Sequence, residues 1–374
     1  MGDAYTPGLT VTGRTVVRKT RRLPLTGSVL VEQGARVRAD QVVARTELPG
    51  KVTMMNVANL LGVLPDEVEP LLVVKPGAAI KKGQLLGEKK SFLRIFGSTI
   101  ESPIDGTFES VSKVTGQAVL REPPSPVEVK AYIDGTVVEV IPNEGVVVEA
   151  EAALVQGIFG LAGEAHAELV VVGKSAESVL EPGDLKPEHR GKIVIGGGLT
   201  TLVAMRRAIE LGVAGVVVGG FSYQDVRELL GYDVGVAVTG TEELGTTLVL
   251  TEGFGGIAMA AATYELLVRH AGRQASISGA TQIRAGVIRP EVIIPDPIEA
   301  PAVEGANGHA VGLEIGAPVR VIRAPHFGAI GAVAGLPVEL QKMPSETMVR
   351  VVEVDIQGKG RVVIPRANVE VIER

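Results

Sequence analysis

The first third of the chain alternates apolar and polar residues in short runs broken by Gly, Pro and Asp. That pattern predicts half-buried strands joined by tight turns. Two pairs of runs repeat. "GARVRADQVVA" (34–44) aligns with "GAAIKKGQLLG" (77–87), matching Gly34 to Gly77, Val37 to Ile80 and Gln41 to Gln84. "IDGTFESVSKVTGQAVLRE" (104–122) is followed by "IDGTVVEVIPNEGVVVEAE" (133–151), which sets Gly116 against Gly145, Val119 against Val148 and Glu122 against Glu151. Gly50, Gly106 and Gly135 each follow Pro or Asp, where a turn calls for a positive φ. The repeats predict two pseudo-symmetric halves closing one small sandwich around one core. Residues 54–70, "MMNVANLLGVLPDEVEP", break the alternation; apolar residues at 57, 60, 61 and 64 predict a short packing helix there.

From about residue 165 the period changes. "AELVVVG" (167–173) predicts a buried strand, and "GKIVIGGGLTTLVAMRRAIELG" (191–212) predicts a strand, a glycine loop and a helix. Leu202, Met205 and Ile209 share one helical face, Arg206, Arg207 and Glu210 the other, and Gly212 supplies a C-terminal cap. "AGVVVGG", "DVGVAVTG" and "TTLVLTEG" predict further strands; "SYQDVRELLG", opened by Ser222, and "GIAMAAATYELLVRHAG" predict helices. Strands without polar alternation, interleaved with helices, predict a largely parallel sheet covered on both faces.

Residues 296–316 are rich in Pro, Gly and Ala and predict a linker. The 58 residues that follow return to short strands. The expected organisation is a multidomain α/β plus all-β chain. It has a basic N-terminal arm (1–24), a β module (25–160) with the helical insertion 54–70, an α/β domain (161–295), the linker, and a small β-barrel (317–374).

Composition narrows the chemistry. Aromatic residues are only 3% and Trp is absent, so the cores are built from Val, Leu, Ile and Ala, and base-stacking platforms are disfavoured. No Cys occurs, which removes disulfides, thiolate metal sites and thiol nucleophiles and fits a reducing compartment. No apolar run approaches the roughly 20 residues of a membrane helix, and the N-terminus carries "RTVVRKTRR" in place of an apolar leader. A soluble, cytoplasmic protein is expected. The net charge of −6 is uneven: residues 1–45 hold eight Lys/Arg against three acids, and 317–374 hold eight against six. Contacts to a polyanion are therefore expected at the ends, through Arg18, Lys19, Arg21 and Arg22 or through Arg320 and Arg323.

Candidate site residues cluster where a parallel sheet binds ligands, beyond the C-terminal ends of its strands. Gly196, Gly197 and Gly198 with Thr200 and Thr201 lead into a helix, whose free N–H groups and dipole suit a small anion. The same glycines also permit a tight strand-to-helix turn, and the loop has neither the GxGxxG nor the GxxxxGK[ST] spacing of a nucleotide loop. Glu252, at a strand end among small residues, is the candidate catalytic acid. The His residues at 166, 189, 270, 309 and 326 lack metal-ligand spacing, so neither metal nor cofactor is expected.

Two resemblances add to this reading. Residues 25–155, with "IKKGQLLGE" (80–88) and "SPIDGTF" (102–108) close to the family patterns "VxxGQxLxE" and "SPxDGxV", resemble the barrel-sandwich hybrid of biotinyl and lipoyl carrier domains. Carriers in that family present a modified lysine at a hairpin tip. Here "EKKSFLRIFGST" (88–99) places Lys89 and Lys90 near that tip but lacks the family's flanking residues, so a structural module with unmodified lysines is expected. The segment from Gly316 to Glu373, with "PHFGAIG" and "VVIPRANVEVI", resembles a KOW domain. That resemblance implies a small barrel touching RNA or protein through Arg320, Arg323, His326 and Phe327. The leading expectation is a non-catalytic scaffold or adaptor, with a protein partner and a small-anion pocket; homo-oligomers fit as well. The alternatives are an RNA- or ribosome-associated factor and an enzyme using the central loops.

Overall fold

The structure is a computed structural model. It describes residues 9–89, 97–232, 238–282, 288–296, 313–322, 326, 328–337, 339–342, 348–356 and 359–371. The chain is mostly β, built from several sheets, and no helix among the described residues is long and apolar enough to cross a membrane.

The repeats do not close one sandwich. Each pairs within its own copy, and the copies are nested. Val37 of the first run pairs with Gly135, whereas Ile80 of the second pairs with Gly106. The resulting outer module has the sheet order Val11–Arg22, Gly145–Gln156, Gly135–Ile141, Arg36–Val37, and a second sheet formed by Ser125–Lys130, Val42–Leu48 and Ser28–Val29. The nested module repeats the plan with Val52–Asn56, Gln117–Arg121, Gly106–Val111 and Ala78–Ile80, plus the hairpin of Leu85–Lys89 with Ser98–Glu101. Their cores are distinct. Val37, Val43, Ile133, Val137 and Val148 fill the outer one; Ile80, Leu86, Phe108, Ala118 and Leu120 fill the nested one.

The repeated residues are spent on identical turn bonds. Gly34 N–H donates to Val137 O and Gly77 N–H to Phe108 O, both at 2.7 Å. Asp134 accepts from Ala39 N–H at 2.6 Å and Asp105 from Lys82 N–H at 2.9 Å. Gln41 and Gln84 each accept from the N–H three residues earlier. Side-chain acceptors of this kind fix a turn by satisfying its backbone donors. One sequence match slips. Leu120 lies opposite Phe108 and Val148 opposite Val137, so the last strands correspond at an offset of 28 where the sequence suggests 29. The nested copy has one extra residue in the turn before that strand. Gly50 and Gly135 are glycines because of close backbone approach, not positive φ: a Cβ on Gly50 would lie 1.7 Å from Glu122 O, and on Gly135 2.4 Å from Glu149 O. Gly50 thus brings the entry and exit of the nested module into contact. Helix α1 (Val57–Leu61) is the predicted packing helix, shortened because 52–56 is a strand.

The expected N-terminal arm is instead the strand Val11–Arg22, paired along Gly145–Gln156. Its cations face acids: Arg14 with Glu151 (2.6 Å), Arg18 with Glu149, Arg22 with Glu144 (3.7 Å), Lys19 with Glu291 (2.6 Å) and Arg21 with Glu164 (2.7 Å). Gly145–Gln156 continues past the outer module to pair with Glu291–Pro295, making one 13-stranded sheet with the centre of the chain.

In that centre Glu164–Val171, Ile193–Ile195, Gly215–Phe221 and Thr247–Phe254 run parallel and lie side by side in chain order. Burial is continuous along Ile193–Ile195 and Gly215–Phe221 and nearly so along Thr247–Phe254, whereas Glu164–Val171 alternates through Glu164, His166 and Glu168 where it pairs with Gln274–Ser278. Val194, Val216, Val218, Leu248 and Leu250 face α2 (Leu202–Leu211) and α3 (Tyr223–Leu230); Ile193, Ile195, Val217 and Val249 face α4 (Ala261–Arg269). Thr201 caps α2 by accepting from Ala204 N–H, and Gly212 ends it in the left-handed conformation. Of the strand expected in 233–240, Val238–Thr239 pairs with Thr281–Gln282, and 233–237 lie outside the described residues.

The C-terminal segment forms a five-stranded antiparallel sheet, ordered Gly360–Pro365, Val351–Ile356, Ile330–Gly335, Pro318–Val321, Val369–Val371. A closed barrel was expected, but among the described residues the two outer strands do not pair with each other, so the sheet is open. Most of the expected linker, 297–312, lies outside the described residues.

Separate cores predict separable unfolding. Phe108 is fully buried in the nested core, so Phe108→Ala is expected to destabilise that module by about 3–5 kcal/mol. Hydrogen exchange should then accelerate across 52–121 while the outer-module amides around Val148 keep their protection. Equal acceleration in both would mean that the two cores are one cooperative unit.

Candidate functional site

The loops expected to bind a ligand do gather beyond the C-terminal ends of the parallel strands, and the chain itself fills the space between them. A Cβ on Gly197 would lie 2.5 Å from Ser175 O, on Gly198 2.9 Å from Ala176 O, and on Gly219 2.8 Å from Ile257 O. The glycines therefore admit neighbouring backbone. Three of the N–H groups in this stretch are also engaged: Gly196 donates to Val217 O and Gly198 to Ser178 O, each at 2.9 Å, and Ala204 donates to Thr201 Oγ1 at 3.1 Å. Thr200 is buried in a short strand between Val179–Leu180 and Gly215–Phe221. Its Oγ1 is enclosed, with no hydrogen-bond partner among the described residues.

Glu252 sits one strand over, on Thr247–Phe254, and is 5% exposed. One carboxylate oxygen accepts from Ala260 N–H at 3.0 Å, just before α4. The other lies 3.4 Å from Arg320 Nη1. Arg320, expected at an open contact loop, is 4% exposed. Its Nη1 also donates to the carbonyls of Thr251 (3.0 Å) and Glu252 (2.9 Å), while Nη2 and Nε reach Glu370 at 3.0 and 3.3 Å. Glu370 accepts in turn from Leu9 N–H at 2.7 Å. One guanidinium thus joins the central sheet, the C-terminal sheet and the start of the first strand. Nε, Nη1 and Nη2 each donate inside this junction.

Around this point the C-terminal sheet seals the strand end. Phe254 N–H donates to Gly328 O at 2.8 Å, and the Phe254 ring lies tilted by 53° against Phe159 at 4.8 Å and edge-on at 5.2 Å against Tyr223. Gly328, at φ +73°, lies against the Phe254 ring, where a Cβ would be 2.5 Å from it. His326 has an enclosed Nδ1 without a hydrogen-bond partner among the described residues; burial, then Lys359, lowers its pKa and favours the neutral ring. Arg323 and Phe327 lie outside the described residues, as does Lys90. Lys89 ends the strand Leu85–Lys89 and donates to Gly62 O at 2.9 Å.

A second polar cluster escaped the sequence reading. Lys19 and Tyr132 both reach Glu291, the Tyr132 hydroxyl donating at 3.2 Å. Arg21 grips Glu164 through two bonds of 2.7 Å, donates to Lys130 O, and lies 5.2 Å over the Tyr132 ring. Ser276 Oγ donates to Tyr132 O, and His166 Nδ1 is 3.0 Å from that hydroxyl oxygen. Burial foremost, then the Glu291 charge, pushes the Tyr132 phenol well above its ordinary pKa. Beside it opens a groove of about 420 Å³ lined by Thr20, Arg21, Arg22, Glu128, Val129, Lys130 and Glu164. The cluster fastens the outer module to the central sheet. Its one sequence trace is Lys19 and Arg21 at strand spacing, on one face; their acids come from residues more than 140 positions away. Among the described residues no group of three or more His, Asp or Glu is placed to hold a metal ion.

No protein-family model matches the chain, and no curated protein is significantly similar to it.

The Arg320 junction makes a graded prediction. Arg320→Met leaves the Glu252 and Glu370 carboxylates buried without their cation and is expected to cost about 3–5 kcal/mol of stability. Glu252→Gln should cost less, because the amide still accepts from Ala260 and the carbonyls of Thr251 and Glu252 still hold the guanidinium. Urea unfolding of the three proteins checks the order; an Arg320→Met protein as stable as the parent would show that the junction carries no weight.

Proposed function

We propose that the chain is a non-catalytic scaffold or adaptor. In this reading the outer and nested modules are two barrel-sandwich hybrids, the parallel strands with their helices form an α/β domain, and the C-terminal sheet is a KOW-like module. The observation that carries it is Arg320. One of the residues expected to meet a phosphate, and the acid candidate for catalysis, are bound to each other in a buried junction. The glycine loop beside them is packed by backbone. The other basic cluster supports the same reading, since Arg18, Lys19, Arg21 and Arg22 each face a carboxylate. Internal pairing of this kind removes the net positive field that non-specific nucleic-acid binding relies on. The cysteine-free composition supports a cytoplasmic setting.

A filter-binding titration on total cellular RNA tests the proposal against its main rival. The expected affinity is no tighter than roughly 10⁻⁴ M, the weak edge of non-specific binding. A thermal-shift series with phosphate, sulfate and nucleoside triphosphates should leave the melting temperature unmoved. Tight RNA binding that falls steeply with salt would replace the scaffold with an RNA-associated factor, and a shift with one of the anions would restore a ligand site at the glycine loop.

A further inference from the structure

The nested duplication provides an internal control for what an outward-facing strand in this architecture carries. Among the described residues, one edge of the larger sheet in both modules is the strand that pairs with the last strand of the repeat: Val11–Arg22 in the outer module and Val52–Asn56 in the nested one. Matching the partners through the 28-residue offset sets Val52 against Arg18, Met54 against Thr20 and Asn56 against Arg22. In the outer module this face is exposed and charged, and Arg18 and Arg22 pair with Glu149 and Glu144. The nested module has Val52, Met54 and Asn56 at the same positions, also exposed, with Met54 at 68%. Its edge strand, "VTMMN", bears no charge at all.

An uncharged, apolar edge strand presents unpaired backbone N–H and C=O groups to any strand that fits. Proteins usually blunt such edges with Lys, Pro or a bulge. The outer copy is blunted in that way and the nested copy is not. We infer that Val52–Asn56 is an interface between two copies of this chain. Two such strands would pair antiparallel about a two-fold axis near Met54 and join the two four-stranded sheets into one of eight. Charge matching selects this occupant. A partner strand with charged residues would leave them without counter-charges against Val52, Thr53, Met54 and Met55. The longest charge-free edge strand among the described residues is Val52–Asn56 itself; the next, Ala78–Ile80 and the buried Phe159–Leu161, have three residues each. An isologous contact uses the same patch on both copies, so one apolar strand satisfies both sides. The inference stands apart from the scaffold reading: a monomer would end it and leave that reading intact, whereas RNA binding would end the scaffold reading and leave the dimer.

The chain contains no Cys, which allows a clean test. Light scattering after gel filtration of the full chain should give twice 39.0 kDa. Met54→Lys, a change at an exposed site, should give the monomer mass with an unchanged far-ultraviolet circular dichroism spectrum and a melting temperature that no longer depends on protein concentration. Met54→Cys should form a disulfide-linked dimer under mild oxidation, whereas Val203→Cys, 62% exposed on α2, should not. A monomeric parent, a dimer that survives Met54→Lys, or crosslinking equal at positions 54 and 203 would each overturn the inference.

Discussion

A buried guanidinium is tolerated only where carboxylates and carbonyls surround it, because an unpaired charge in a dry interior is too unfavourable to keep. Arg320 meets that condition by drawing on three parts of the chain: Thr251 and Glu252 of the central sheet, Glu370 of the C-terminal sheet, and, through Glu370, the backbone of Leu9. Those partners are satisfied only when the C-terminal sheet lies over the ends of the parallel strands. The junction therefore fixes where that sheet sits, and Phe254 with Gly328 completes the seal. In a parallel sheet this is the side on which ligands usually bind. Here a protein module occupies it.

The other end of the molecule is organised by duplication. The outer module is continuous with the central sheet through Gly145–Gln156 and is pinned there by Lys19, Arg21 and Tyr132 against Glu291 and Glu164. The nested module enters and leaves through one narrow neck, where Gly50 meets Glu122 and Arg121 donates to Gly50 O. It has its own core and its own sheets. The two copies share turn chemistry and differ in what faces outward, charged pairs in one and Val and Met in the other. Their interiors stay apolar while side-chain size changes, Val43 and Val137 in the outer core matching Leu86 and Phe108 in the nested one; the change from charged to uncharged is made on the exposed face of the edge strand.

Much of this was legible from local pattern. Strand and helix positions follow from period and turn residues. The cap residue Gly212, the parallel centre, and the short helix from Val57 all depend on neighbours a few positions away; Thr201, expected at an anion site, serves as the N-cap. The duplication was visible too, because Gly34, Gln41 and Asp134 serve the same turn bonds as Gly77, Gln84 and Asp105. Which run pairs with which was not visible. Two repeats in the order first, second, second, first read equally well as two halves of one sandwich or as one module inside another. Pairing is decided by which apolar faces close on a common core, and that is a long-range property.

The same boundary separates the residues with chemical character. By itself the sequence determined that Glu252 stands at a strand end, that Arg320 and Arg18 to Arg22 are the basic clusters, and that Gly196 to Gly198 form a tight turn into a helix. Only the tertiary structure decided that these groups are engaged with each other and with backbone. A charge's effect depends on what lies within a few ångströms of it. For Arg320 those neighbours are 50 and 68 residues away along the chain, and for Arg21 the carboxylate is 143 away. Local sequence sets a residue's capacity for chemistry; contacts at that separation set whether any of it remains free.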